Sequence, residues 1–170
     1  SAGFPIRAIN TCLAESGVSI PDLDAVAFYE KPFLKLGRTL VGHLRAWPRS
    51  LRNFLDTMPT WLEDRLALPL QGRDELGFDG DVLFLKHHLS HAASSFLASP
   101  FESAAILTVD GIGEWASTTW GSGHGNRISI EQELRYPNPV GLLYAIVTTH
   151  LGFRVFAGEG KVMALAAFGE

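Results

Sequence analysis

Two histidines, His87 and His91, lie four residues apart directly after the short apolar run 82–85. A helix turns by about 100° per residue, so side chains at this spacing lie on one face of a helix, one turn apart. Two imidazole nitrogens placed in this way can bind one divalent metal ion, whereas His88 points elsewhere on the same helix. The alternative is an ordinary pair of helix histidines, because this spacing alone is weak evidence for a metal.

A carboxylate in a matching position strengthens the metal interpretation. Asp110 directly follows the strongest predicted strand, residues 104–109, and the run 82–85 also predicts a strand. If these strands are neighbours in one sheet, Asp110 and the start of the histidine helix meet at the same sheet edge, where α/β proteins bind ligands. Two imidazoles and a carboxylate suit Fe(II), Mn(II) or Zn(II), with positions left open for a substrate. We therefore predict that His87, His91 and Asp110 form a metal-binding catalytic site.

The loop after Asp110 is a candidate for binding the phosphates of a nucleotide. Gly111 and Gly113 would let backbone N–H groups approach an anion closely. Glu114 could hydrogen-bond a ribose hydroxyl or hold a water on the metal. The alternative is a plain hairpin turn, in which two glycines beside an acid are common.

A second glycine-bearing segment precedes the last predicted helix. Gly158, Gly160 and Lys161 would place free amides, the positive end of the helix dipole and a cationic side chain beside an anion. The spacing is not that of a P-loop, and the alternative is a simple glycine-bearing helix entry. Ser90, between the histidines, lacks the context of a nucleophile elbow, so acyl-enzyme chemistry is unsupported.

The apolar patterning predicts a three-layer α/β domain with a mixed sheet, since strands alternate with helices early and a hairpin meander follows. Cys12 is expected in the core, and the strand at 25–29 is expected to be buried on both faces. Helices are predicted at 6–16, within 31–70, and at 87–98, 139–151 and 161–168; strands at 25–29, 82–85, 104–109, 115–120 and 127–134; and turns at 71–81, 110–114 and 121–126.

Residues 31–70 predict a helical insertion that is rich in basic and aromatic side chains. It could face a ligand or a partner. The alternative is an amphipathic helical excursion whose basic face is solvated.

The composition is that of a globular protein and argues against several partners. Of 170 residues, 46% are apolar and 19% are charged, and the formal net charge is -4. Without a basic surplus, a nucleic-acid partner is not expected. Apolar runs fall short of the roughly 20 residues that a membrane helix needs. A single cysteine excludes an intrachain disulfide, which fits the cytoplasm as the expected location.

Several motifs together resemble the N-terminal domain of carbamoyltransferases of the nodulation and antibiotic-biosynthesis types. The resemblance covers essentially the whole chain and implies an actin-like (hexokinase-type ATPase) fold, with residues 1–170 as a partial N-terminal domain truncated at both ends. The motifs are at residues 87–96, 99–101, 107–115, 141–144, 151–153 and 158–166.

The resemblance also implies a reaction. A separate C-terminal domain would make carbamoyl-adenylate from carbamoyl phosphate and ATP, and this domain would transfer the carbamoyl group to a hydroxyl of a small-molecule or glycan acceptor. The implied metal is iron foremost, with zinc or manganese possible, held by His87, His91 and Asp110. Because the adenylate-forming domain and a later aspartate ligand lie outside the chain, we expect residues 1–170 alone to be inactive.

Three other functions remain open at this point. A threonylcarbamoyl transferase of tRNA modification shares the fold and the histidine pair, but its motif carries an acidic residue and a glycine between the histidines, which this chain lacks. A non-catalytic actin-like module could bind nucleotide or a partner through the basic segment. A sugar or acetate kinase of the same fold would need no paired histidines.

Overall fold

A computed structural model describes residues 5–61, 68–155 and 157–169, and the chain divides into two compact units, residues 1–86 and 87–170. The first unit contains α1 (Ile6–Ser16), a 3-10 turn (Ile20–Asp22), β1 (Ala25–Phe28), α2 (Pro32–Arg45), α3 (Leu51–Trp61), α4 (Leu68–Leu76) and β2 (Asp81–Phe84). The second contains α5 (His87–Phe96), β3 (Ser103–Val109), β4 (Ala116–His124), β5 (Arg127–Arg135), α6 (Val140–His150), α7 (Glu159–Leu165) and a 3-10 turn (Ala166–Phe168).

The described strands form one parallel and one antiparallel sheet, so the mixed α/β class is confirmed, whereas the three-layer arrangement with a single mixed sheet stays a prediction. β1 and β2 pair in parallel, from Ala25 opposite Asp81 to Phe28 opposite Phe84. β3, β4 and β5 form an antiparallel meander. The prediction that the strands at 82–85 and 104–109 are neighbours involves both units and stays a prediction. Within the second unit, β3 pairs with β4, the next strand in sequence, through a short hairpin connection whose closure costs little entropy.

Two predicted turns are replaced in part by regular structure. α4 extends to Leu76, into the segment 71–81 predicted as a turn-rich connection. β4 continues to His124 through the predicted turn 121–126, and the chain reverses at Gly125, whose φ is 59°. The glycines in β4 reflect close packing. A Cβ on Gly121 would overlap the backbone of Ser129, and one on Gly123 would lie 2.6 Å from the ring of Phe96.

The first unit is less buried than the sequence predicts. Cys12, expected in the core, is exposed. Along β1, expected to be buried on both faces, exposed residues alternate with half-buried ones. A two-stranded sheet has little area with which to bury both faces, which explains the pattern. The predicted helical character of 31–70 is observed in α2 and α3; residues 62–67 of that segment lie outside the described residues, and its assignment as an insertion stays a prediction.

The core of the second unit holds α5 against one face of the meander. Ala92 and Phe96 of α5 pack with Ile106 of β3, and Ile128 and Ile130 of β5 lie against them, as does Ala104. These contacts fix the C-terminal half of α5 on the meander. Among the described residues, the helices are all too short or too polar to cross a membrane.

Candidate metal centre

The structure brings together the three side chains that the spacing selected. His87 Nε2 lies 2.6 Å from Asp110 Oδ2, and His91 Nε2 lies 3.0 Å from His87 Nε2. The third separation, from His91 Nε2 to Asp110 Oδ2, is 3.6 Å. The pair of histidines is on the first turns of α5, and Asp110 directly follows β3.

These separations fit a shared metal ion. Ligand atoms about 2.1 Å from one ion lie about 3.0 Å apart at a right angle and about 3.4 Å apart at the tetrahedral angle. The observed distances of 2.6, 3.0 and 3.6 Å span those values, so the three atoms can form one face of a coordination polyhedron. Imidazole nitrogen and carboxylate oxygen are ligands that iron, zinc and manganese accept.

The three side chains differ in the fraction of their surface that is exposed to solvent. His87 is 14% exposed, Asp110 35% and His91 51%. One ligand is thus held within the fold, while the other two border solvent. A substrate can approach the three ligand atoms from that solvent side.

The carboxylate of Asp110 divides its two oxygens between two tasks. Oδ1 accepts a hydrogen bond of 2.6 Å from the Gly111 amide, which leaves Oδ2 directed at the histidines. Burial raises the pKa of the Asp110 carboxyl, but the hydrogen bonds with His87 and the Gly111 amide outweigh burial, so the net pKa lies below its ordinary value. A deprotonated carboxylate is the form that binds a metal.

Both ring nitrogens of His88 bond groups outside this cluster, in a buried hydrogen-bond chain. Its Nε2 lies 2.9 Å from the carbonyl of Ala116, which only accepts, so Nε2 carries the proton. Nδ1 then accepts from the Thr108 hydroxyl at 2.6 Å, and Thr108 accepts from Thr119 at 2.7 Å. The chain ties the first turn of α5 to β3 and β4. Burial lowers the pKa of the His88 imidazole, which favours this neutral ring.

We expect His88→Gln to lower the free energy of unfolding by about 1–3 kcal/mol near pH 7, because buried hydrogen-bonding groups lose their partners. The wild-type protein should also lose stability as the pH falls below about 6.5, since the folded state lowers the pKa of His88 and the unfolded chain takes up the proton first. Urea unfolding on both sides of that pH measures both effects. The variant should lose less stability over the interval, and an equal loss would contradict a buried neutral ring.

Glu114 lies at the start of α5. Its side chain is buried, and its two carboxylate oxygens lie 3.1 and 3.2 Å from the backbone nitrogen of His87. The carboxylate therefore accepts the first N–H of α5, at the positive end of the helix dipole. The contact with a ribose or a metal-bound water that the sequence suggests for Glu114 stays a prediction.

The amides of Gly111 and Gly113 donate hydrogen bonds within the chain, and their predicted role with a phosphate stays a prediction. Gly111 donates to Asp110 Oδ1, and Gly113 donates to the carbonyl of Ala116 at 2.9 Å. A Cβ on Gly113 would lie 3.1 Å from Cδ2 of His87 and 3.0 Å from Cδ2 of His88. Gly113 therefore packs closely against both imidazole rings, which leave little room for a side chain.

The segment at Gly158, Gly160 and Lys161 begins α7. The carbonyl of Gly158 accepts the Lys161 amide at 3.0 Å, and a Cβ on Gly158 would lie 2.6 Å from Cβ of Phe153. Packing against the preceding loop accounts for this glycine. The anion-binding role predicted for these residues stays a prediction.

A contact that the sequence reasoning missed joins α6 to the metal-ligand loop. Gly141, in the first turn of α6, packs directly on the backbone of Asp110 and Gly111. A Cβ on Gly141 would lie 2.6 Å from the carbonyl carbon of Asp110 and 2.8 Å from the Gly111 nitrogen. In the sequence, Gly141 stands near the start of a predicted helix and within the motif 141–144, and neither feature indicates this contact.

Comparison with known proteins gives the family. The family model for the carbamoyltransferase N-terminus matches residues 2–170 of this chain. The uncharacterized protein sll1178 of Synechocystis is 44% identical over 177 residues, covering 99% of this chain and 29% of that protein. The nodulation protein NolNO of Sinorhizobium fredii is 34% identical over 173 residues, covering 98% of this chain and 24% of that protein.

A shorter match is to the nodulation protein NolO of Bradyrhizobium diazoefficiens, which is 36% identical over 88 residues, or 51% of this chain and 16% of that protein. The chain spans less than a third of the length of these relatives. With a family match over nearly its whole length, the chain belongs to the carbamoyltransferases, as part of their N-terminal region. The predicted resemblance is therefore confirmed.

Proposed function

We propose that this chain is the metal-binding transfer part of an O-carbamoyltransferase. The full-length enzyme would take the carbamoyl group from carbamoyl phosphate, activate it with ATP as carbamoyl-adenylate in a C-terminal domain, and pass it to a hydroxyl of a small-molecule or glycan acceptor. The chain would belong to an actin-like fold. The observation that carries the proposal is the convergence of His87, His91 and Asp110 in a carbamoyltransferase N-terminal region.

The three side chains have distinct parts in the proposed site. Nε2 of His87 and His91, with Oδ2 of Asp110, would hold a divalent ion, foremost iron, with zinc and manganese also suited to the ligands. When bound, the ion supplies Lewis-acid polarisation and a template for substrate oxygens. His87, the least exposed of the three, fixes the inner side of the site, and His91 and Asp110 border the side open to substrate.

The transfer itself is a displacement at the carbamoyl carbon. The acceptor oxygen forms a bond to that carbon, the bond from the carbon to the adenylate phosphate oxygen breaks, AMP leaves, and the hydroxyl proton is lost to solvent. The solvent-facing side of His91 and Asp110 is where the acceptor and the adenylate would meet. Holding both reactants there lowers the entropic part of the barrier.

The two main alternatives are less well supported. Threonylcarbamoyl transfer to tRNA would favour a basic surface, and the formal net charge of the chain is -4. A non-catalytic nucleotide-binding module needs no convergent ligand set, which this chain has.

Metal binding tests the proposal directly. We expect the purified protein to bind a single Co(II) or Fe(II) ion, measured anaerobically by calorimetry and by elemental analysis after dialysis. His91→Ala should weaken binding by about 100-fold or more, because one of the three ligands that this chain supplies is lost. His124→Ala is the matched control, since His124 is an exposed histidine of β4 that bonds Ser103. Equal metal affinity in wild type and His91→Ala would contradict the proposed metal site.

A further inference from the structure

The buried carboxylate of Glu114 has a position that neither a nucleotide nor a direct metal-ligand role explains. We propose that Glu114 is a positioning residue for the metal centre, acting through the backbone of His87 to set where the two histidine nitrogens lie. This inference rests on the proposed metal-binding function. It gives Glu114 a task distinct from that of Asp110, although both belong to the loop between β3 and β4.

The contact is made at the first residue of the ligand helix. Glu114 is 6% exposed, and both carboxylate oxygens are within hydrogen-bond reach of the His87 nitrogen, at 3.1 and 3.2 Å. The first four N–H groups of a helix lack partners within the helix, and a carboxylate there makes a charge-assisted bond aligned with the helix dipole. Glu114 therefore fixes the start of α5.

The same loop holds His87 at two points. Asp110 Oδ2 meets the imidazole at 2.6 Å, and Glu114 meets the backbone nitrogen. With the ring and the main chain both tied to one loop, the side chain of His87 has little freedom to swing. His91 is one turn further along α5, so a rotation or slide of the first turn would move both ligand nitrogens together.

Gly113 shows how closely the loop and the helix fit. Its Cα lies so near the rings of His87 and His88 that even a methyl group would press on both. The loop thus contacts α5 through Asp110, Gly113 and Glu114 in turn. Removing the Glu114 carboxylate would loosen the one contact among these three that holds the helix backbone.

Electrostatics adds to the positional effect. A carboxylate buried beside the start of α5 places a second formal negative charge near the ligand set, in addition to Asp110. Because water screens charges only weakly in a partly buried region, a negative charge there attracts a divalent cation strongly. Outer groups that orient metal ligands typically change metal affinity by about 10- to 100-fold when they are removed.

Titration of the purified protein with Co(II) tests this role, because the visible absorption of Co(II) reports ligand geometry as well as affinity. Glu114→Ala should weaken Co(II) binding by about 10- to 100-fold and shift the absorption bands. Glu114→Gln keeps one oxygen acceptor and should weaken binding less, by about 3- to 10-fold. Phe96→Leu is the matched control: it loosens the core at the other end of α5 and should lower thermal stability with affinity and spectrum unchanged.

The outcomes separate this inference from the proposed function. If wild type binds Co(II) and both Glu114 variants match it in affinity and spectrum, the positioning role is wrong and the metal site stands. If wild type binds no Co(II), the metal site is wrong and the positioning role falls with it. Should Glu114→Ala fail to fold, Glu114→Gln decides, since wild-type affinity and spectrum in that variant overturn the inference.

Discussion

Replacing His87 or Asp110 with alanine in the full-length enzyme should reduce carbamoyl transfer to the acceptor by about 10³-fold or more, while leaving formation of carbamoyl-adenylate unchanged. Each change removes one of the three convergent ligand atoms and breaks the 2.6 Å contact between the two side chains. Loss of Lewis-acid stabilisation is worth several kcal/mol, and about 4 kcal/mol corresponds to that factor. Adenylate formation would persist because a separate domain is proposed to perform it.

Separate assays of the two half-reactions measure this effect. ATP-dependent formation of carbamoyl-adenylate is followed from carbamoyl phosphate, and transfer is followed from supplied carbamoyl-adenylate to a panel of hydroxyl acceptors. His124→Ala controls for loss of a histidine, and Asp110→Asn controls for loss of charge with the shape kept. Normal transfer by both His87→Ala and Asp110→Ala would remove the metal from the mechanism. Supplying threonylcarbamoyl-adenylate with tRNA in parallel tests the alternative reaction.

The histidine pair could be predicted from the sequence because its geometry is local. Four-residue spacing in a helix decides that His87 and His91 share a face and that His88 does not, and the structure confirms both points. Asp110 lies beside the histidines because α5 packs on the meander that contains β3. This contact lies within the second unit, and the spacing of the histidines does not predict it.

The roles of the glycines could not be predicted, because they depend on what lies opposite each one. A glycine that admits a phosphate and a glycine that admits a neighbouring ring look alike in sequence. At Gly113 the neighbours are two imidazoles, at Gly123 the neighbour is Phe96, and at Gly141 it is the backbone of Asp110. Each of these contacts is between residues distant in sequence, so no local pattern records it.

The hydrogen bonds that support the ligand helix are hidden from the sequence for the same reason. Glu114 and His87 are 27 residues apart, and His88 and Thr108 are 20 apart. The sequence suggests a ligand for Glu114 but does not show that its carboxylate accepts a hydrogen bond from the backbone amide of His87. The sequence therefore predicts the side chains directed at the proposed ion, but not the groups that hold those side chains in position.

Gly141→Ala should damage both the stability of the second unit and the metal centre, although the side chain of residue 141 contacts no ligand atom. The added methyl group would lie 2.6 Å from the carbonyl carbon of Asp110 and 2.8 Å from the nitrogen of Gly111. Both are backbone atoms, so they cannot move away by a change of rotamer as the end of a flexible side chain can. Either α6 or the loop must move, at a cost of about 1–3 kcal/mol for overpacking.

Displacement of the Asp110 backbone also carries Oδ2 away from the histidine nitrogens, and a shift of about 0.5 Å is enough to spoil a metal site. We expect Co(II) affinity to fall by at least about 10-fold, together with a lower midpoint in urea unfolding. Gly37→Ala is the matched control, a glycine inside α2 with open space around the new methyl group, and should be neutral or slightly stabilising. If Gly141→Ala lowered stability but left Co(II) affinity at the wild-type value, α6 would support the fold without supporting the ligand geometry, and the site would depend on α5 and its loop alone.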